Sequence, residues 1–254
     1  MIGAITEYID VAQVTLYAFW IFFAGLVIYL HRENKREGYP LESERSKYVR
    51  VEGFPATPEF KYFLHRDGMR FRVPREDVPR EIAARPSANF PGAPIEPTGN
   101  PMLDGVGPAA WAQRTDRPET ALDGGPRLTP TRTNPEFDVH GNDADPRGLP
   151  VVGADGRLAG KVVDIWVDRS EALLRYLEVE VPAAGATRRV LLPANFAVMG
   201  RERVKVRSIR ADQFAEVPGT KHPDQVTLLE EDKIMGYYGG GTLYAFRSRG
   251  EPLL

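Results

Sequence analysis

One membrane-spanning α-helix at the N-terminus, followed by a mainly-β cytoplasmic domain, is the fold class this sequence predicts. Three observations lead there. Residues 11–30, VAQVTLYAFWIFFAGLVIYL, carry no charge. From Glu42 to about Gly148 proline and glycine recur too often for long helices. From Leu149 onward, short alternating segments follow one another and end in a helical pattern. The expected organisation is a short periplasmic N-terminus (1–10), a transmembrane helix (11–30), a juxtamembrane segment with an extended Pro/Gly-rich strap (31–148), and a small antiparallel β-barrel with a closing helix (149–254).

The helix is the strongest physical signal. Twenty residues at about 1.5 Å each span about 30 Å, the thickness of a bilayer's hydrocarbon core. A helix also satisfies its own backbone in lipid. Before it stand Glu7 and Asp10; after it come His31, Arg32, Lys35 and Arg36. The positive-inside rule then places the C-terminal side in the cytoplasm. A cleaved signal peptide is the competing reading. It calls for a basic start, a shorter apolar core and a small-residue cleavage site, whereas this start is acidic and the apolar run long.

The strap contains two strand candidates, 61–64 and 69–73, around the turn HRDG. Its aromatics (Phe54, Phe60, Tyr62, Phe63, Phe71, Phe90, Trp111) favour a segment laid on another surface over a free linker. In the C-terminal part, RLAGKVVDIWVD, LLRYLEVEV, TRRVLLP and RVKVRSI read as sequential strands of a small barrel. DQVTLLEEDKIMGYY has apolar residues at helical spacing, and the glycines at 239–241 are expected to end that helix.

Composition excludes several functions. There is no cysteine, which removes disulfides and thiolate metal sites. The four histidines are scattered. A net charge of -2 argues against a nucleic-acid binder. No phosphate-binding loop, nucleophile elbow or metal-binding histidine pair is present. Glu230, Glu231 and Asp232 could mark a metal site, but a solvated or salt-bridged helix face is the expected reading. Asp168 and Glu171 interrupt two apolar runs, with Arg175 four residues on; taken alone they read as a hairpin turn.

Five blocks carry a resemblance: WIFFAGLVIYL, REGYPLE, PTGNPMLDGVGPAAW, LAGKVVDIWVD and VTLLEEDKIMGYYGGG. In this order they resemble the H subunit of the purple-bacterial photosynthetic reaction centre, over nearly the whole chain. The resemblance implies a PRC-type β-barrel that caps the L and M subunits on the cytoplasmic side, in the photosynthetic intracytoplasmic membrane of a bacterium. It implies a structural and proton-conducting subunit with no active site, cofactor or metal of its own. The complex would hold bacteriochlorophyll, bacteriopheophytin, quinones and non-haem iron, with membrane lipid, core antenna and cytochrome subunits as further partners. It places Asp168, Glu171 and Arg175 on a proton route to the secondary quinone, with Glu42 near the same water-filled region and Asp123 near the entrance. Family members with histidines just after that Asp differ from this chain, which has Gly124, Gly125, Pro126 and Arg127. A membrane-tethered assembly or RNA-processing factor built on the same barrel is the alternative. It calls for a basic face, which a pI near 6.1 does not suggest.

Overall fold

The computed structural model describes residues 10–43, 46–66, 68–73, 81–90, 92–183 and 185–250; of residues 42, 43 and 46–48 it describes only the backbone. The chain forms two compact units, one of residues 1–80 with 90–92, the other of 81–89 and 93–254.

In the first unit, helix α1 (Val11–Asn34) has 24 residues, none of them buried. That is about 36 Å of helix at 1.5 Å per residue, apolar on every side, as a lipid-facing helix must be. Asp10 caps its start by accepting from the Gln13 amide at 2.7 Å. The two polar side chains inside the apolar run are satisfied within the helix. Gln13 donates to the Tyr17 hydroxyl at 3.0 Å, and Thr15 to the Val11 carbonyl at 2.8 Å. The helix runs a turn beyond Leu30, and that turn carries His31 and Arg32. Two antiparallel hairpins follow: β1 (Leu41–Ser43) with β2 (Ser46–Val51), and β3 (Lys61–Leu64) with β4 (Arg70–Val73). The second hairpin is the one expected around HRDG.

In the second unit, β5 (Ala84–Pro86) pairs with β6 (Ile95–Pro97), and the single-turn helix α2 (Pro101–Asp104) follows. The next strand, β7 (Leu128–Pro130), leaves the strap and joins the main sheet. The sheet continues with β8 (Pro150–Val152), β9 (Leu158–Asp168), β10 (Leu173–Ala183), β11 (Ala186–Pro193), β12 (Ala197–Met199) and β13 (Val204–Val206). Its order is β11-β10-β9-β8-β13-β12, with β7 beside the far end of β9. Strand β9 is long enough to pair twice along one edge: Val151 of β8 sits opposite Gly160, and Thr129 of β7 opposite Val167. All pairings are antiparallel except that of β13 with β8. The alternation read from the sequence is real: Val162, Leu177, Val179, Val190 and Leu192 point into one core with Phe214, Ile234, Tyr237 and Tyr238.

The closing helix differs from its expected bounds. Helix α3 (Leu228–Tyr244) starts after a capping box in which Thr227 and Glu230 satisfy each other's amides. It then runs straight through Gly239, Gly240 and Gly241. These glycines do not end the helix; they let backbone approach backbone. A Cβ on Gly239 would lie 2.9 Å from the Pro108 carbonyl oxygen, one on Gly236 2.7 Å from that of Ala109, and one on Gly241 2.8 Å from that of Ser208.

Gly241→Ala therefore tests this packing. Alanine would gain about 1 kcal/mol of helix propensity. The obstacles at Gly241 are the Ile209 Cγ2 methyl and the Ser208 backbone, and overpacking of this kind costs about 1–3 kcal/mol. The variant should unfold at lower denaturant than the wild-type chain. Gly141→Ala, with nothing within 4 Å of the new methyl, should not. Equal midpoints for all three proteins would show that the glycine face is not tightly packed.

Candidate functional site

The turn between β9 and β10 places the acids of interest. Asp168 is the last residue of β9 and pairs with Leu173 across the hairpin. Its Oδ1 accepts from the amides of Ser170 and Glu171 at 2.9 and 3.2 Å, which closes the turn. Asp168 is 1% exposed, while the Glu171 side chain is 55% exposed. One carboxylate faces water and its neighbour is sealed from it.

The charge that holds them comes from the strap. Leu128 of β7 sits directly opposite Asp168, so the preceding residue, Arg127, falls beside the turn. Its Nη2 lies 2.7 Å from Asp168 Oδ2 and 2.7 Å from Glu171 Oε1. Its Nη1 lies 3.1 Å from Glu119. Backbone bonds tie the loop down: the Arg127 amide donates to the Glu119 carbonyl at 2.7 Å, and the Arg169 amide to the Arg127 carbonyl at 2.9 Å. Arg169 in turn pairs with Asp123 and donates to the Pro126 carbonyl at 3.1 Å. Burial alone would raise the Asp168 carboxyl. The Arg127 guanidinium and the two turn amides outweigh it and hold the group below the usual range. Arg169 does the same for Asp123.

The expected residues are thus only partly brought together. Asp168 and Glu171 share one guanidinium, and Asp123 joins them through Arg169. The side chain of Glu42 lies outside the described residues. Arg175 sits at a break in the β9–β10 register, between Leu174 and Tyr176. It lines a separate pocket of about 410 Å³ with Arg114, Tyr176, Glu231 and Asp232.

Of the acidic run expected as a solvated or salt-bridged helix face, Asp232 is salt-bridged, while Glu230 and Glu231 are buried rather than solvated. Glu230 is buried in the capping box, and Glu231 is 8% exposed and accepts from the Tyr176 hydroxyl at 2.8 Å. Asp232 accepts from the Ala112 amide at 3.1 Å and faces Arg114. Burial pushes the Glu231 carboxyl up, against the pull of Tyr176 and Arg175. Among the described residues no group of three or more His, Asp or Glu is placed to hold a metal.

A further ionic cluster was not anticipated. Asp164 and Glu178 lie opposite each other on β9 and β10, both nearly buried. Arg132 of the strap bridges them at 2.9 and 2.5 Å. Trp166 donates to Glu178 at 2.9 Å, and Arg189 pairs with it at 3.2 Å. The signal was an acid in mid-strand among apolar neighbours, in VVDIW and LEVEV.

An exposed apolar helix, a half-closed sheet built on one long strand pair, and acids paired to strap arginines define a membrane-associated barrel protein. The family model of the photosynthetic reaction centre H-chain N-terminal region matches residues 3–133, and that of the PRC-barrel domain matches residues 141–213. The chain belongs to the photosynthetic reaction-centre H-chain family. It is accordingly a structural subunit of a membrane-associated electron-transfer complex that contains pigments and quinones, and it associates with other reaction-centre subunits.

The two buried acids make opposite pH predictions. A folded pKa raised above the unfolded value, as at Glu231, gives stability that is full at low pH and declines as pH rises through the folded value. Glu231→Gln keeps an acceptor for Tyr176 and removes the ionisation. It should match the wild type at low pH and exceed it at pH 8. A depressed pKa, as at Asp168, gives stability present above the unfolded value of about 3.9, lost as pH falls through the folded one. Asp168→Asn should therefore be weaker than wild type at pH 8, with the gap closing in acid. Urea unfolding at several pH values reads both; parallel curves for wild type and variants would refute these assignments.

Proposed function

We propose that this chain caps the cytoplasmic side of the L and M subunits beneath their quinones and conducts protons to the secondary quinone. In this reading residues 1–10 are periplasmic, α1 crosses the membrane, and the β-barrel unit is cytoplasmic. His31, Arg32, Lys35 and Arg36 at the end of α1, with none of their kind in residues 1–10, support that orientation.

The observation that carries the proton reading is the sharing of Arg127 Nη2 by a buried and an exposed carboxylate, each at 2.7 Å. Reducing a quinone fully takes up two protons with two electrons, and a buried site needs a route for them. A lone carboxylate along such a route would be costly to ionise. Here Glu171 meets water and Asp168 lies inside. Both accept from the same guanidinium, so a proton passing from one to the other leaves Arg127 paired throughout. Asp123, exposed and tied in through Arg169, stands where protons would first be collected. Glu42 is assigned to the same route by family resemblance. Arg175 acts from the neighbouring pocket, where it faces Glu231, whose raised carboxyl adds a second acid able to carry a proton at higher pH.

Glu171→Gln tests the assignment in assembled reaction centres. The first electron transfer, which needs no proton, should be unchanged. The second, proton-coupled transfer should slow; a hundredfold loss would equal about 2.7 kcal/mol on the barrier. Asp168→Asn should act in the same direction, and the double variant should fall short of the product of the two, since the acids belong to one cluster. Flash-induced absorbance on the first and second flash, across pH, measures this. Wild-type second-flash kinetics in all three variants would leave the carboxylates as a polar turn.

A further inference from the structure

The β3–β4 hairpin of the first unit is held at the membrane end of α1. Lys61, its first residue, places Nζ 2.7 Å from Glu33 and 5.9 Å from the centre of the Tyr29 ring. Tyr29 is the penultimate residue of the uncharged run. Arg36 fixes the approach from the other side, pairing with Glu33 at 2.7 Å and donating to the Glu59 carbonyl. The hairpin therefore starts at the depth where the hydrocarbon ends. Leu64 is three residues on, about 10 Å at 3.3 Å per residue. The interfacial layer on each side of a bilayer is about 5–8 Å thick, so the strand starts within it and even a strand running straight outward would bring Leu64 only a few ångströms beyond.

Composition fits that place. Residues 60–73, FKYFLHRDGMRFRV, contain four basic residues and one acid. Cross-strand pairs put Tyr62 with Arg72 and Leu64 with Arg70 on one face. Tyr62 is 69% and Leu64 72% exposed, and Phe60 and Phe63 are about half exposed. The Arg72 guanidinium lies 4.2 Å from the centre of the Phe60 ring, a cation–π contact within the hairpin, and Arg66 and Arg70 are exposed. Arginine with aromatics also occurs at protein interfaces; the place of the hairpin, anchored through Lys61 and Arg36 to the end of the uncharged run, is what favours a membrane surface. At that depth, a patch that interleaves arginine with tyrosine, phenylalanine and leucine suits the headgroup layer.

We propose that this hairpin is a second membrane contact of the chain, one that binds anionic phospholipid: its aromatic and leucine side chains enter the interface, and Arg66 and Arg70 pair with headgroup phosphates. The contact would fix the rotation of α1 about its axis, which an evenly apolar helix leaves free.

The chain lacks cysteine, so Leu64→Cys carries a single environment-sensitive label. The full chain is placed in nanodiscs of phosphatidylcholine alone or mixed with phosphatidylglycerol. The label should shift to the blue and be quenched by brominated acyl chains in the mixed discs, and less so in pure phosphatidylcholine. At 1 M salt, where the screening length is about 3 Å, the difference should vanish. Arg66→Gln and Arg70→Gln should each lower the docked-to-undocked ratio about fivefold, which converts to about 1 kcal/mol per charge. A water-like signal in every disc overturns the proposal. So does a signal indifferent to phosphatidylglycerol, or one that turns blue only in the complete reaction centre, which would assign the face to a protein partner.

Discussion

The guanidinium of Arg127 is the constraint on which the barrel unit's charged surface depends. It faces three carboxylates, those of Asp168, Glu171 and Glu119. One of them, Asp168, is almost wholly buried. A buried carboxylate without a partner is destabilising by several kcal/mol, so the turn can close inward only because the strap delivers a cation to it. Delivery is a matter of register. Three residues of β7 pair with the end of β9, and Leu128 opposite Asp168 fixes where Arg127 must lie. The same device recurs one turn of strap later, where Arg132 bridges Asp164 and Glu178. Two arginines thus fasten the strap to the long strand pair, and each fastening gathers acids around one guanidinium. Structure and proposed proton conduction come from the same contacts.

The rest of the unit keeps that strand pair rigid. Strand β9 is supported on its outer edge by both β8 and β7, and the core side chains of β9, β10 and β11 pack on α3. Helix α3 comes close because its glycines offer no side chain toward residues 108–110 and 208–209. Close approach in turn brings Glu231 under Tyr176 and creates the second acid pocket. A single design choice, backbone packed on backbone, sets both the stability of the closing helix and the burial that raises this carboxyl.

Much of this was legible in the sequence. An uncharged stretch as long as a bilayer is thick has few structural alternatives, and α1 follows it. Alternation over KVVDIWVD and LEVEV marks β9 and β10 because a one-residue slip would turn the core to water. The three-glycine run was misread because a left-handed helix cap and a tight helix–backbone contact need the same residue; what decides is the neighbour, Ala109 or Ser208, far away in the chain. The partner of the acids was missed for a similar reason. Arg127 and Glu171 are 44 positions apart, and only the β7–β9 pairing joins them. Family resemblance, not proximity, put Arg175 on the same route as these acids. The register break beside it sends it instead to the pocket of Glu231.

The central claim is that Arg127 and Asp168 form one coupled unit joining strap to barrel. A double-mutant cycle of Arg127→Met and Asp168→Asn, read by equilibrium unfolding of the full chain at pH 8, tests it most directly. Arg127→Met strands a buried charge and should cost about 3–5 kcal/mol. Adding Asp168→Asn removes that stranded charge, so the double variant should be more stable than Arg127→Met alone and well above the sum of the singles. Strict additivity, with the double variant as unstable as the two losses combined, would contradict the account.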